Sequence, residues 1–592
     1  MKPRVLLVGL EGAQRALITR LMDEGALPHL QRIVESGCVG ALTVRPPHVR
    51  AMLWTTLATG RDAPLHGVCG DVEVRDDGGG VRPAGYASWR APAMWELARE
   101  AGKRSVVVGW PATAPATSWD GVTIVDETFR EPLGADFDAW ALLPDCVSPV
   151  SARETLRALR VHPADITGDQ LQAFVPEAAR IDQESDRRLV RIALALARAA
   201  TIHAVATQFA ADAEWDLCCV VYPLLADVSR DFMQYRAGEV SAATAADRAL
   251  YGGAVDAAHR LQDAMLGRLL DCAGRDATVI VVSAEGFLAA SGACVAQDAL
   301  VHGASLLDVA PTVLNLLGAR ADALDGRPIE AIAAPLPRGA AVEVSAALPA
   351  VWDHLVEPDD TLTAAQRVAI EHASLAWIAN AAEAHLSAGR FAEAASCFAD
   401  VVKRTSNDWR ARARLAQCEL HLGRYDACFD IASPLTAQRP DDPWGHLLCA
   451  AARVLAGDAA AAQPHLERAG AHVDGAPSAA LRLGMLHLAS NDPATGERLF
   501  RQALQSLPDS VLAYDGLGCA LHAQARYEEA IAAFRAGLGH TYHCPIAHAH
   551  LASSLAALQR WDEAVHAARV ALEQDPATPG AQQVIERAPV RA

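Results

Sequence analysis

The chain has 592 residues, too long for one core and enough for about four domain-sized units. Hydrophobic residues make up 51% and charged residues 21%, which excludes wholesale disorder and predicts large cores rich in Ala, Leu and Val. Asp plus Glu is 71 against 52 Lys plus Arg, and the formal charge of −19 repels phosphate backbones and anionic headgroups, so neither nucleic acid nor a membrane surface is an expected partner.

The first apolar run, VLLVGL at 5–10, stops at Glu11; it is short for a signal-peptide core and reads as a strand. SVVVGW (105–110), DLCCVVY (216–222) and TVIVVS (278–283) read the same way and alternate with helical segments such as 17–35 and 255–270. That alternation predicts a buried, mostly parallel sheet between helices, with ligands at the carboxyl ends of its strands. Between 132 and 211 strand-like runs vanish, and a helical insertion is expected. The apolar stretch 189–211 is interrupted by Arg191 and Arg198, so no membrane span is expected. Thirteen cysteines, an odd count without a CxxC pair, suit free thiols in a reducing compartment and predict a cytoplasmic protein. Cys218 and Cys219 should point to opposite faces of one strand.

Residues 336–360, rich in Pro and Ala, read as a linker, and a helix from 361 leads into the C-terminal third. There, steps of 34 from Gly389 land on Gly423, Gly457, Asn491, Ala525 and Gln559. Aromatic and small positions repeat in step, as at Phe391, Tyr425, Tyr527 and Trp561, and Pro440, Pro508 and Pro576 fall where each second helix must stop. This pattern resembles tetratricopeptide (TPR) repeats, six after a leading helix over 361–592. The resemblance implies a superhelix whose concave face takes a protein or peptide partner. Arg410, Arg412 and Arg414 could offer cations to an acidic partner or be a solvated surface. His540, His543, Cys544, His548 and His550 have enough donors to be a weak metal candidate.

The strand ends of the N-terminal part read VLLVGLEGA, then MLWTTLATGRDAPLHGV at 52–68, VVSAEGF, GASLLDVAPTVLNLLG at 303–318 and DGRP at 325–328. In wording and order these resemble the type I phosphodiesterase/nucleotide pyrophosphatase branch of the alkaline phosphatase superfamily, over about residues 1–335. The resemblance implies an alkaline-phosphatase-like α/β sheet sandwiched by helices, with the insertion at about 132–211 capping its active-site face. It also implies two divalent metals, typically zinc, held by Asp and His, with a Ser or Thr nucleophile.

Carried over residue by residue, the machinery is incomplete. The first-strand Asp is Glu11 here, and the nucleophile position falls on Arg50, which cannot serve. The Asp and His after the third of those strands fall on Ala226 and Arg230, and an Asp-His-Gly becomes Ala284, Glu285, Gly286. The loop that would carry a further His is missing between VVSAEG and FLAASG. No cofactor is therefore expected. Arg50 and Arg230 could neutralise Glu11 and Glu285 as internal counter-ions, or receive a phosphate or sulfate group. His66 and Asp71 read as structural, and Gly78–Gly80 as a turn. The expected function is a catalytically degenerate adaptor or regulator built on the repeats. The alternatives are a hydrolase with altered metal ligation and an anion receptor; oligomeric state stays open.

Overall fold

Runs that are apolar on both faces make strands only where helices cover both sides of the sheet. The computed structural model describes residues 4–75, 78–130, 142–143, 145–211, 214–239, 241–320, 324–332, 340–341, 362–405, 407–541 and 543–589. By internal contacts it divides into two units, Met1–Ala384 and His385–Ala592.

The first unit is built on a nine-stranded sheet. Its strands are β1 (Arg4–Leu10), β2 (Cys38–Thr43), β3 (Ser105–Val108), β4 (Val122–Val125), β5 (Val147–Ser148), β6 (Leu217–Tyr222), β7 (Ala277–Val282), β8 (Phe287–Ser291) and β9 (Ala299–Ser305). They lie in the order β9-β2-β8-β7-β1-β6-β3-β4-β5. β1 is parallel to β6 and β7, and β3 to β4 and β6, while β8 runs antiparallel to both its neighbours. Alternation along each strand supplies two cores. Leu6, Val8, Cys218 and Val220 face one, and Leu7, Cys219 and Val221 the other, which places the two adjacent thiols on opposite faces as expected.

Two helical segments differ from the expectation. The helix expected over 17–35 is two, Arg15–Asp23 and Pro28–Glu35, because Gly25 turns with φ 72° and Pro28 opens the next helix. Helix Arg188–Ala211, expected in the insertion, buries Leu189, Ile192, Ile202 and Val205 in the sheet core and leads into β6. Among the described residues it is the helix long and apolar enough to cross a membrane, but its apolar side packs on the sheet. The insertion is thus reduced to short helices such as Arg153–Arg157 and Gly168–Gln172, and 132–141 lies outside the described residues. So does the expected linker, apart from the short strand Ala340–Ala341.

Helix Arg50–Thr59 and the segments beyond it assemble an aromatic ladder. Trp54 meets Trp110 edge-on at 5.4 Å, Trp110 meets Trp95 at 5.3 Å, Trp95 meets Trp89 at 5.9 Å, and Trp89 stacks on Tyr86 at 5.0 Å.

Leading helix and first repeat helix form one continuous helix, Ala364–Ser387. All but its last three residues belong to the first unit: Trp377 Nε1 donates to the Gly67 carbonyl at 3.3 Å, Asn380 Nδ2 to the Cys69 carbonyl at 2.7 Å, and Ala381 and Ala384 are buried with Met52 and Cys69. The second unit continues with helix pairs from Phe391–Arg404 to Trp561–Gln574, closed by Ala581–Arg587. First helices of successive repeats pack on one another and form the inner layer. All six period marks adopt the left-handed conformation that ends a helix: Gly389, Gly423 and Gly457 at φ 72–81°, and Asn491, Ala525 and Gln559 at 59–61°.

Candidate functional site

The carboxyl ends of β1, β4 and β7 deliver Glu11, Glu127 and Glu285, and helix Arg50–Thr59 begins there with Arg50. A cation at a helix N-terminus faces the positive end of the dipole, so Arg50 needs compensation. Glu11 accepts Arg50 Nε at 2.5 Å through Oε1 and Nη2 at 3.1 Å through Oε2, a bidentate pair. On its other edge Arg50 Nη1 donates to Glu127 Oε2 at 2.7 Å. The helix itself is capped from outside, by Asp71 Oδ1 accepting the Ala51 N–H at 3.0 Å.

Glu127 is held further by the Ala112 N–H at 2.9 Å and by Arg130 Nη2 at 3.6 Å. Burial opposes the charges of both Arg50 and Glu127, but their attraction prevails. Glu127 and Glu11 hold the guanidinium protonated, and Arg50 with Arg130 keeps the Glu127 carboxyl below its ordinary value.

Glu285 sits in a tight hairpin. β7 and β8 are joined by Ser283–Gly286, with Ser283 N–H bonded to the Phe287 carbonyl at 2.9 Å, so the connection is a tight turn. The Glu285 carboxylate accepts from Ser283 Oγ and from the Gly12 N–H. Gly12 has φ 86°, and a Cβ there would lie 2.5 Å from the Ala226 backbone nitrogen, so the β1 loop closes against that segment only with glycine. Although the residue is solvent-exposed overall, partial desolvation of its carboxyl, with the like charge of Glu11, raises Glu285 above its ordinary value.

Arg230 departs from the expected four-charge cluster. It lies in helix Leu224–Phe232 with 65% of its side chain exposed and pairs with Asp227 at 3.4 Å, one turn earlier, because the helix points it outward. Glu127, which sequence reasoning missed, is the second partner of Arg50 instead. The available signal was the short strand-like run VTIV at 122–125, with Asp-Glu directly after it.

As a donor set these residues do not fit two dications. Ala226 and Ala284 offer no side-chain donor, Glu11 is engaged on both oxygens by Arg50, and Glu285 is tied to its own turn. Three carboxylates stand against Arg50 and Arg130.

His66 is wholly buried and satisfied. The Val68 N–H donates to Nδ1 at 3.2 Å, which leaves the proton on Nε2, 2.9 Å from Thr56 Oγ1. Burial lowers its pKa to about 3. Asp126 is also buried, and desolvation pushes its carboxyl up to about 7 against the hydrogen bonds from Thr128.

In the second unit, Arg410 and Arg414 are exposed on one side of helix Trp409–His421, Arg414 bonds Gln417, and Arg412 lies half a turn away. The His/Cys cluster disperses. His540 pairs with Asp509 at 3.3 Å and stacks on Tyr514, Cys544 precedes helix Pro545–Ala557, with His543 just before it, and His548 is buried within that helix. His550 alone of the five turns toward Asp515 and Cys519.

A family profile for type I phosphodiesterase/nucleotide pyrophosphatase matches residues 5–381, and tetratricopeptide-repeat profiles match 385–452, 481–541 and 516–579. No curated protein matches. Solved structures similar to the chain include the Cut9-Hcn1 APC/C hetero-tetramer, at 17% identity and TM-score 0.33 over 36% of this chain. The match spans 42% of that protein's length. The TPR protein YrrB, described with an unusual peptide-binding site, matches at 13% identity and TM-score 0.26, over 32% of this chain and 99% of its own. A thermophilic TPR protein from Thermus thermophilus, TTC0263, matches at 19% identity and TM-score 0.24, over 36% of this chain and 96% of its own. With most of its length matched by the first profile, the chain belongs to the type I phosphodiesterase/nucleotide pyrophosphatase family, and TPR repeats follow that domain.

Proposed function

We propose that the phosphodiesterase-like domain is catalytically silent and that the protein is an adaptor working through its repeats. The observation that carries the first half is Arg50. At the position where the family resemblance calls for a nucleophile stands a permanent cation, clamped by Glu11 and Glu127. A guanidinium cannot attack phosphorus, and its carboxylate partners are withdrawn from metal ligation. The same clamp disfavours an anion receptor, since a phosphate would displace Glu11 or Glu127 and meet three carboxylates. All thirteen cysteines are free, which supports a reducing, cytoplasmic setting.

The adaptor half is supported by the inner layer of the array. Trp444, Leu512 and Ile546 fall at one repeat position, where repeat four carries Ser478, and are 37%, 62% and 50% exposed; adjacent Leu512 and Ile546 give an apolar patch suited to a protein or peptide partner. Purified protein with added zinc or manganese should not hydrolyse bis-p-nitrophenyl phosphate, p-nitrophenyl phosphate or p-nitrophenyl sulfate above buffer. Chelator-sensitive turnover that disappears in Glu11→Gln would overturn the silent-domain reading. A partner recovered by crosslinking should be lost in Leu512→Glu with Ile546→Glu; capture unaffected by that pair refutes the adaptor surface.

A further inference from the structure

Repeat five differs from the two repeats before it along one stripe of its first helix. On the first helices of repeats three and four, the positions that 34-residue steps align with Asp515, Cys519 and His522 carry Leu447, Ala451 and Val454, then Leu481, Met485 and Leu488. In repeat five the same stripe on helix Val511–Ala523 holds a carboxylate, a thiol and an imidazole. Spaced by four and three residues, they share one face of the helix. Helix Pro545–Ala557 of repeat six packs against that face and contributes His550 and Ser554, one turn apart.

The donors converge. His550 Nδ1 lies 2.8 Å from Asp515 Oδ1 and 3.4 Å from Cys519 Sγ, and the three donor atoms all lie within 4.8 Å of one another. One turn along the seam, His522 Nδ1 lies 2.8 Å from Ser554 Oγ. Among the described residues this trio is the group of His, Cys and acidic side chains close enough to hold an ion.

We propose that Asp515, Cys519 and His550 form a binding site for a borderline-soft divalent transition ion of the zinc class. Carboxylate oxygen, imidazole nitrogen and thiolate sulfur suit such an ion, whereas calcium or magnesium would reject the sulfur. Bond lengths of about 2.0–2.3 Å in a tetrahedron put donor atoms roughly 3.3–3.6 Å apart, so Asp515 has to withdraw by about half an ångström and Cys519 hardly at all. Binding displaces the proton of the Cys519 thiol and the one on His550 Nδ1 to solvent, and the Asp515 carboxylate is already a donor. Three protein ligands leave the fourth position to water or to a group brought by a partner. The trio lies in the inner layer, a turn from exposed Leu512, so an ion there would add a ligand-exchange point to the partner surface.

Full-length protein freed of metal by chelator dialysis is titrated with Co2+, then with Zn2+ against a chromophoric chelator. The expected result is one equivalent of Co2+ giving a thiolate-to-metal charge-transfer band in the near ultraviolet, bleached by Zn2+. Cys519→Ser removes the band. His550→Gln and Asp515→Asn lower zinc affinity at least about tenfold, the scale of a lost ligand interaction. Cys544→Ser leaves both unchanged. Far-ultraviolet circular dichroism establishes that each variant stays helical, and the near-isosteric Cys519→Ser keeps the test sound should His550→Gln unfold. The proposal is overturned if no band forms, if the band survives Cys519→Ser, or if Cys544→Ser abolishes it.

Discussion

Removing the Arg50 guanidinium would leave Glu11 and Glu127 facing one another with no cation between them. A fully buried pair broken in this way costs about 3–5 kcal/mol, and since the Arg50 side chain is 33% exposed, about 2–3 kcal/mol is expected for Arg50→Ala. Arg230→Ala, at 65% exposure, should stay within about 0.5 kcal/mol. Urea melts of the two variants test this, and equal losses would refute it. Added phosphate should stabilise neither. Two buried groups give the sheet domain opposing pH responses. His66, near 3 when folded against an ordinary 6.5, is neutral where the unfolded chain is protonated, so its contribution is full above pH 6.5 and is lost as pH falls toward 3. Asp126, near 7 against 3.8, keeps its proton where the unfolded chain has lost it, so stability falls as pH rises from 3.8 to 7. The slopes oppose, each at most about 1.4 kcal/mol per pH unit. Relative to the parent, Asp126→Asn should therefore gain stability as pH rises from 4 to 6.5. Parallel profiles would contradict the assignment.

At the scale of elements, the six left-handed turn residues do one job with different side chains. An L residue there costs about 1–2 kcal/mol that glycine avoids, less about 0.5–1 kcal/mol for the greater freedom of unfolded glycine. Ala525→Gly and Gln559→Gly should each stabilise by about 0.5 kcal/mol, and Asn491→Gly should be nearly neutral because Asn tolerates this conformation. A loss of stability in Ala525→Gly would mean that its methyl packs usefully. The turns were legible because a fixed period reports on itself: once Gly389 and Gly423 set the step, Ala525 is placed despite having no glycine. Central strands were legible for a similar reason, since VLLVGL and LCCVVY can be accommodated only between two helical layers. Glu127 was not, because β4 is four residues long and its role exists only when Arg50 arrives from a distant helix. Arg230 failed the other way: its motif position was readable, but the direction of its side chain depends on helix Leu224–Phe232.

For the whole molecule, the sequence reading ended the sheet domain at about 335, while the helix beyond the linker still serves it. Trp377 and Asn380 supply donors to the Gly67 and Cys69 carbonyls, and Ala381 and Ala384 cover Met52 and Cys69. A fragment ending at 335 should accordingly be less stable than one ending at 387 by about 3 kcal/mol, from apolar area and two hydrogen bonds. Equal melting temperatures would show the helix to be dispensable. The aromatic ladder has an optical consequence. Four indoles in contact share their strongest excited states, so the domain should show an exciton couplet in the far ultraviolet, at the main indole band, to which Trp54, Trp110, Trp95 and Trp89 contribute. Trp54 stands one helical turn beyond Arg50, so a ligand or partner that shifts that helix re-phases the couplet. The indole circular dichroism thus reports, without a label, on the helix that carries Arg50.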